Sequence, residues 1–224
     1  MKNGFFIVME GIDGCGTTTH TELLGNYLKS QNESVHLTLE PSDLGVGKLL
    51  RTYLKKKEIP SPTDALLFAA DRVEHYFNEI LPKLEENNIV ISDRYLESSI
   101  AYQTAQGQEA TNSTDEINEN TDISHENLTF NITIDWVETI NKFIPFPDLT
   151  VVLDIDPKVS LNRKYDKSQN IDKFENIEFL EKVRMIYLKR AKKLNFDIVD
   201  ANRPKQDVHK DLINIVNARL KLQE

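Results

Sequence analysis

The stretch Phe5-Phe6-Ile7-Val8-Met9-Glu10-Gly11-Ile12-Asp13-Gly14-Cys15-Gly16-Thr17-Thr18-Thr19 decides the architecture. Its first five residues are all apolar. A strand with one wet face would alternate, so this one reads as covered on both faces. Glycines at 11, 14 and 16 follow at once. They let the backbone curl until successive amide N–H groups point at a common ligand. Thr17, Thr18 and Thr19 then offer hydroxyls for the start of a helix, whose N-terminus carries partial positive charge. Strand, glycine loop and helix start together form a cradle for a phosphate chain. An ordinary glycine turn between strand and helix is the competing reading. Cys15 reads as a small residue filling a tight loop rather than as a reactive thiol.

Outward from this loop, the same alternation recurs. Apolar runs at 35–38, 89–92, 149–153 and 196–199 read as four further strands. Between them, 19–30, 64–86, 176–193 and 208–222 carry apolar residues at three- and four-residue spacing, the pattern of helices with one buried face. Strands alternating with helices predict an α/β fold: a five-stranded parallel sheet with helices on both faces, three layers in one domain over residues 1–224. One segment departs from the pattern. Gly107 to Asn127 is rich in Asn, Thr, Glu and Asp, and it reads as a mobile acidic surface insertion that cannot bury enough apolar area to order itself. Helical sequence resumes near Asp135-Trp136. The sequons at Asn112, Asn127 and Asn131 read as chance matches.

Composition narrows the function classes. A single cysteine excludes an intramolecular disulfide framework and a multi-cysteine zinc site, so a reducing, cytoplasmic compartment is expected. No apolar run approaches the roughly 20 residues of a membrane span, and the run before Glu10 is too short for a secretory signal. A net charge of −9 argues against broad nucleic-acid binding. It leaves nucleotides open, because backbone amides and a few local cations suffice for one phosphate chain. Much of the acid is local: 104–135 holds seven acidic residues and no Lys or Arg.

The loop matches the pattern of a nucleoside triphosphate cradle except at one position. Thr18 offers the hydroxyl that such loops give to Mg²⁺, but Thr17 stands where they carry a lysine for the β- and γ-phosphates. The third strand runs into Asp93-Arg94, a carboxylate and a guanidinium at the carboxyl end of a central strand, where open α/β sheets bind ligands. Arginine suits bidentate phosphate recognition. A structural ion pair is the alternative for these two residues taken alone.

The whole run Asp93-Arg94-Tyr95-Leu96-Glu97-Ser98-Ser99-Ile100-Ala101-Tyr102-Gln103 resembles the Asp-Arg-Tyr-x-x-Ser-x-x-Ala-Tyr-Gln signature of thymidylate kinases. Other stretches agree in family order. Glu10-Gly11-Ile12-Asp13-Gly14 is similar to the opening of that family's phosphate loop, and Glu40-Pro41 with Gly47-Lys48-Leu49-Leu50 to its second-strand loop. Leu66-Leu67-Phe68-Ala69-Ala70-Asp71-Arg72 resembles its nucleobase segment. Leu153-Asp154-Ile155-Asp156-Pro157, Arg163 and Asp172-Lys173-Phe174-Glu175 resemble the strand and short lid that follow, here 157–175.

The resemblance implies a P-loop kinase fold, ATP and Mg²⁺ as cofactors, dTMP as acceptor, and a homodimer. It implies that Gly11, Ile12, Asp13, Gly14, Cys15, Gly16, Thr17, Thr18 and Thr19 hold ATP, with Thr18 on the metal. Phe68 would stack on thymine, although a core phenylalanine on an apolar helix face is the plainer reading. Arg72 would hydrogen-bond the base, Arg94 the acceptor phosphate, and Glu40 would belong to the acceptor side. Asp13 would lie near the sugar hydroxyl and the reacting phosphates, while Ser99 and Gln103 line the base pocket. Tyr102 would crowd the sugar 2′ position and favour deoxyribose; Ser98 is packing or a weak polar contact. Some family members put a catalytic arginine directly after the loop aspartate; here that position is Gly14. Others draw cations from the lid, where this chain has Arg163, Lys164, Lys167 and Lys173. Asp13, Arg94 and Arg163 are then the expected catalytic residues. Leu39 stands before Glu40-Pro41 where many relatives have arginine. Two other readings stay open: a catalytically impaired nucleotide-binding relative, motivated by Thr17, and a kinase for another deoxynucleoside or its monophosphate.

Overall fold

The computed structural model describes the backbone of residues 4–56, 59–112, 131–165 and 176–221, and the side chains of 4–56, 59–107, 131–163 and 176–220. Five parallel strands form its sheet: β1 (Phe5–Gly11), β2 (Val35–Leu39), β3 (Ile89–Asp93), β4 (Leu149–Asp154) and β5 (Asp197–Asp200). They lie in the order β2-β3-β1-β4-β5. β1 is central and buried at every residue, as its unbroken apolar run requires. It pairs with β3 from Phe5↔Ile89 to Met9↔Asp93 and with β4 from Ile7↔Leu149 to Gly11↔Leu153.

The chain leaves β1 toward β3 and β2, and later crosses back past β1 to β4. Right-handed crossovers in opposite directions put the connecting helices on opposite faces. Accordingly α1 (Thr17–Ser30) packs on β1, β2 and β3 and against α9 (Lys205–Lys221), while α5 (Leu96–Asn112) packs on β1 and against α8 (Ile177–Leu194), which lies on β4. The carboxyl ends of β3, β1 and β4 therefore open on one crevice at the switch point of the sheet.

Several boundaries differ from those read in the sequence. α1 begins at Thr17 rather than Thr19, and its N-cap is Gly16 at φ 105, with no side-chain cap. The threonine hydroxyls thus sit inside the helix and are available for other work. The segment 64–86 is not one regular helix. It consists of α3 (Ser61–His75), a π-helical turn (Tyr76–Ile80) and α4 (Leu81–Glu85). α9 starts at Lys205, earlier than its apolar stripe. α2 (Gly45–Leu54), α6 (Ile134–Ile140) and α7 (Pro157–Tyr165) complete the described helices, α6 where helical sequence was expected to resume. α5 carries regular helix through Asn112, which takes the first residues of the segment expected as an acidic insertion; residues 113–130 lie outside the described residues. No described helix is long and apolar enough to cross a membrane.

Candidate active site

Two cavities flank the loop after β1. The larger, about 700 Å³, is lined by Asp13 and Gly14 through His20, by Arg94 and Arg163, and by Ala201, Arg203, Lys205 and Val208. The smaller, about 170 Å³, is lined by Glu40, Phe68, Arg72, Ser99, Tyr102 and Gln103 among others. Asp13 and Arg94 line both. Residues far apart in the sequence meet here because strand ends and helix starts share this edge of the sheet, while Phe68 and Arg72 reach it from α3 (Ser61–His75) and Tyr102 and Gln103 from α5.

The loop backbone follows from its glycines. Gly14 and Gly16 have φ of 79 and 105, in the left-handed region that glycine enters without a Cβ clash. At Gly14 space is lacking as well. A Cβ there would lie 2.6 Å from the Ser160 carbonyl oxygen, so no side chain fits at this position. Ser160, buried on α7, also donates its hydroxyl to the Asp13 carbonyl, tying α7 to the loop. Gly11 and Ile12 line neither cavity. Ile12 is buried in the core and accepts the Cys15 N–H, while the Gly11 carbonyl accepts a bond from Arg94. Cys15 is buried, and burial pushes its thiol up to about 12, so it carries no thiolate chemistry.

Thr18 donates its hydroxyl to Asp93 Oδ2. The other oxygen, Asp93 Oδ1, is buried and has no partner among the described residues. A hydroxyl and a carboxylate with a spare buried oxygen form a hard, all-oxygen donor set of the kind Mg²⁺ takes beside phosphates. No cluster of three or more His, Cys, Asp or Glu suited to a metal occurs among the described residues. That also fits Mg²⁺, which keeps several waters and needs only one or two protein oxygens.

Arg94 sits at the junction. Its backbone N–H donates to the Met9 carbonyl and its φ is 72, so the chain turns sharply as β3 ends. The guanidinium donates from Nη1 to the Gly11 carbonyl at 2.8 Å and Ser98 Oγ at 3.0 Å, and from Nη2 to Asp13 Oδ1 at 2.7 Å. The Tyr102 ring lies 5.6 Å from the guanidinium carbon, and its hydroxyl accepts the Asp13 backbone N–H at 2.9 Å.

Beneath this turn lies a group that the sequence reading treated only as part of a motif. Glu10 is fully buried at the end of β1. Its Oε1 accepts the backbone N–H groups of Tyr95 at 2.9 Å and Ser98 at 3.2 Å. Its Oε2 accepts Ser98 Oγ at 2.5 Å and Tyr187 Oη at 3.1 Å. Burial raises its carboxyl to about 7, against the lowering effects of Ser98 and Arg94.

On the other side of the smaller cavity, Arg72 is buried and multiply bonded. It donates to Glu40 Oε2 at 2.8 Å, Asn141 Oδ1 at 2.6 Å, the Tyr95 carbonyl at 3.0 Å and Ser99 Oγ at 2.8 Å. Glu40 Oε1 lies 3.3 Å from His75 Nδ1. Glu40 thus holds Arg72. Asn141 and His75 were missed in the sequence, although His75 stands one helical turn beyond Arg72. Phe68 is partly buried and lines the cavity. Tyr95 Oη and Gln103 Oε1 are buried without partners among the described residues, and both residues line this cavity.

The larger cavity gathers Arg163 with Arg203 and Lys205, two cations the sequence reading did not single out. Both follow β5, a weak four-residue strand whose loop carries no recognisable motif. Lys167 and Lys173, and the side chain of Lys164, lie outside the described residues.

Comparison with known proteins agrees with this geometry. A family profile described as thymidylate kinase matches residues 9–130 and 124–212. A probable thymidylate kinase of Pyrococcus abyssi is 38% identical, over 97% of this chain and 98% of that protein. One from Pyrobaculum calidifontis is 41% identical over 94% and 95%, and one from Staphylothermus marinus 38% over 96% of each. Matched by that profile along most of its length and by such relatives almost end to end, the chain belongs to the thymidylate kinase family.

Proposed function

We propose that the protein transfers the γ-phosphoryl group of ATP to dTMP, giving dTDP and ADP. The observation that carries this reading is the junction: Asp13 and Arg94 line both the cavity of the phosphate loop and the smaller one beside Phe68. A donor phosphate chain in the first and an acceptor phosphate in the second would meet at Arg94. A phosphate oxygen of dTMP attacks the γ-phosphorus, and the bond to the β–γ bridging oxygen breaks, leaving ADP. The protein supplies alignment and charge stabilisation.

The residues divide the work as follows. Backbone N–H groups of Gly14 and of 16–18 and the N-terminus of α1 hold the donor phosphates, the Asp13 and Cys15 N–H groups being taken by Tyr102 and Ile12. Thr18 and Asp93 would hold Mg²⁺, which when bound neutralises charge on the β- and γ-oxygens. Arg94, at the wall shared by the two cavities, binds the acceptor phosphate. Phe68 stacks on thymine, with Arg72, Ser99 and Gln103 on the polar edge of the base and Tyr102 near the sugar. Arg163, assisted by Lys205 and Arg203, supplies the charge that Thr17 lacks. Support for that assignment comes from Gly14, where the Ser160 carbonyl excludes a loop arginine. Exposed Leu66 and Phe77 on α3 and the π-helical turn support a homodimer through this side of the sheet. Small nucleotides rather than nucleic acid as substrates fit the net charge of −9, and a cytoplasmic location fits the single cysteine.

The test is ADP release with ATP–Mg²⁺ and a panel of deoxynucleosides and their monophosphates. dTMP should give the highest kcat/KM. A different preferred acceptor would correct the base assignment. No release with any acceptor, despite ATP binding, would make Thr17 the mark of a nucleotide-binding relative without turnover.

A further inference from the structure

Glu10 is a fully buried carboxyl that the proposed reaction leaves without a task. Its hydrogen bonds are not those of a simple helix cap. Oε1 does cap: it takes the N–H groups of Tyr95 and Ser98, which the first turn of α5 leaves unpaired. Oε2 does something else. It accepts the Ser98 hydroxyl proton at 2.5 Å, which turns the Ser98 oxygen into an acceptor for Arg94 Nη1 at 3.0 Å. Tyr187, from α8, closes the group by contacting Glu10 Oε2 at 3.1 Å, Ser98 Oγ at 2.8 Å and Arg94 Nη1 at 3.4 Å. One carboxylate therefore grips the backbone immediately after Arg94 and, through one hydroxyl, its guanidinium.

Arg94 needs such a grip. At φ 72 it holds a conformation that an arginine does not prefer. We propose that the ionised carboxylate of Glu10 is the positioning group for Arg94, fixing both the turn out of β3 and the guanidinium in the arrangement that receives the acceptor phosphate. The proposal rests on the reading of Arg94 as the acceptor-phosphate ligand. Protonation of Glu10 weakens both links. A neutral carboxyl is a poorer acceptor for the capping N–H groups, and a proton on Oε2 competes for the Ser98 oxygen that Arg94 uses. Acceptor capture is then sensitive to pH near neutrality, because burial brings Glu10 into that range. The charged groups facing Glu10 are Arg94 and Glu97 from the turn and α5, with the Tyr187 hydroxyl from α8. Glu97 is neutralised by Arg190 at 2.8 Å, and Arg94 is shared with Asp13.

The experiment compares wild type, Glu10→Gln, Ser98→Ala and Arg94→Ala in steady-state ADP release from pH 5.5 to 9. Glu10→Gln should lower kcat/KM for dTMP by about one to two orders of magnitude, as expected for a misplaced binding group. KM for ATP should stay within about twofold of wild type, because the donor loop keeps its own bonds. The ratio of wild-type to Glu10→Gln kcat/KM should rise with pH through neutrality and then level. The acceptor phosphate's own ionisation, near about 6, acts on both proteins and cancels in that ratio. A ratio near one, or one that does not vary with pH, overturns the proposal. If Glu10→Gln does not fold, Ser98→Ala decides. It leaves the Tyr95 and Ser98 backbone caps in place and should still raise KM for dTMP severalfold; an unchanged KM overturns the proposal. Arg94→Ala separates the two readings. Unchanged dTMP kinetics there would sink the role of Arg94 itself, whereas a large loss there beside unaltered Glu10→Gln and Ser98→Ala would sink only the role of Glu10.

Discussion

At the scale of the residue, the chain poses its question at position 17. A threonine, itself buried, occupies the site of a phosphate-binding lysine, and Arg163, Arg203 and Lys205 gather across the same cavity. If Arg163 supplies the missing charge in the transition state, Arg163→Ala should lower kcat by roughly three to five orders of magnitude, the usual worth of an arginine at a transferring phosphoryl group. Thr17→Lys introduced into that variant should recover part of the loss. Rapid-quench measurement of the chemical step reads both effects, and full activity of Arg163→Ala would remove the residue from the mechanism. Position 14 makes a second test. Gly14→Ala forces a Cβ into a left-handed backbone and to within 2.6 Å of the Ser160 carbonyl. Urea unfolding should show a loss of about 1–3 kcal/mol, with a raised KM for ATP. Much of this site was legible residue by residue. Every acceptor-side position read from the resemblance lines one cavity. What could not be read were their partners. Asn141 reaches Arg72 across 69 positions and Tyr187 reaches Glu10 across 177, and no local pattern announces such contacts.

The elements carry the same lesson in another form. All five strands were visible, because a parallel sheet buried on both faces writes itself as apolar runs. Helix boundaries were less visible. α1 and α9 begin before their apolar stripes, since the first turn of each faces the cavity rather than the core. The π-helical turn after α3 was invisible, for a single wider turn barely disturbs the spacing of apolar residues. It nonetheless carries Glu79, which bonds Thr38 at 2.7 Å and His36 at 2.9 Å and fastens the turn to β2. Between α5, α6 and α8 the fastening is ionic. Arg190 bonds both oxygens of Glu97 at 2.8 Å and Glu138 at 2.6 Å. Arg190→Met leaves Glu97 buried without its partner, and removing one member of a buried pair costs about 3–5 kcal/mol. Thermal unfolding should register this loss, while the KM values of the folded fraction stay near those of wild type.

At the scale of the whole molecule, two buried groups oppose each other in pH. Glu10 stands at about 7 in the folded protein against an ordinary 4.5, so the folded state holds its proton more tightly than the unfolded state. Its stabilising contribution is full below about 4.5 and is lost as pH rises to about 7. Across that window the loss approaches about 3 kcal/mol. His20 does the reverse. Burial first, then His209, Lys205 and Arg163, hold it down to about 4 against 6.5, so its contribution is present above 6.5 and lost as pH falls to about 4. The two slopes oppose each other between about 4.5 and 6.5, and each should be uncovered by removing the other. In urea unfolding across pH, the stability of wild type relative to Glu10→Gln should fall by about 3 kcal/mol from pH 4.5 to 7.5; a flat difference would contradict the buried-carboxyl reading. Folding therefore favours the neutral carboxyl, while the proposed positioning role needs the charged one. The contact between Gly14 and Ser160 also bears on descent. A lineage built on this backbone meets an obstacle to an arginine after its loop aspartate, because α7 would have to withdraw the Ser160 carbonyl from where the new Cβ would go. Room for a cation is found instead on the far side of the cavity, where Arg163, Arg203 and Lys205 already lie.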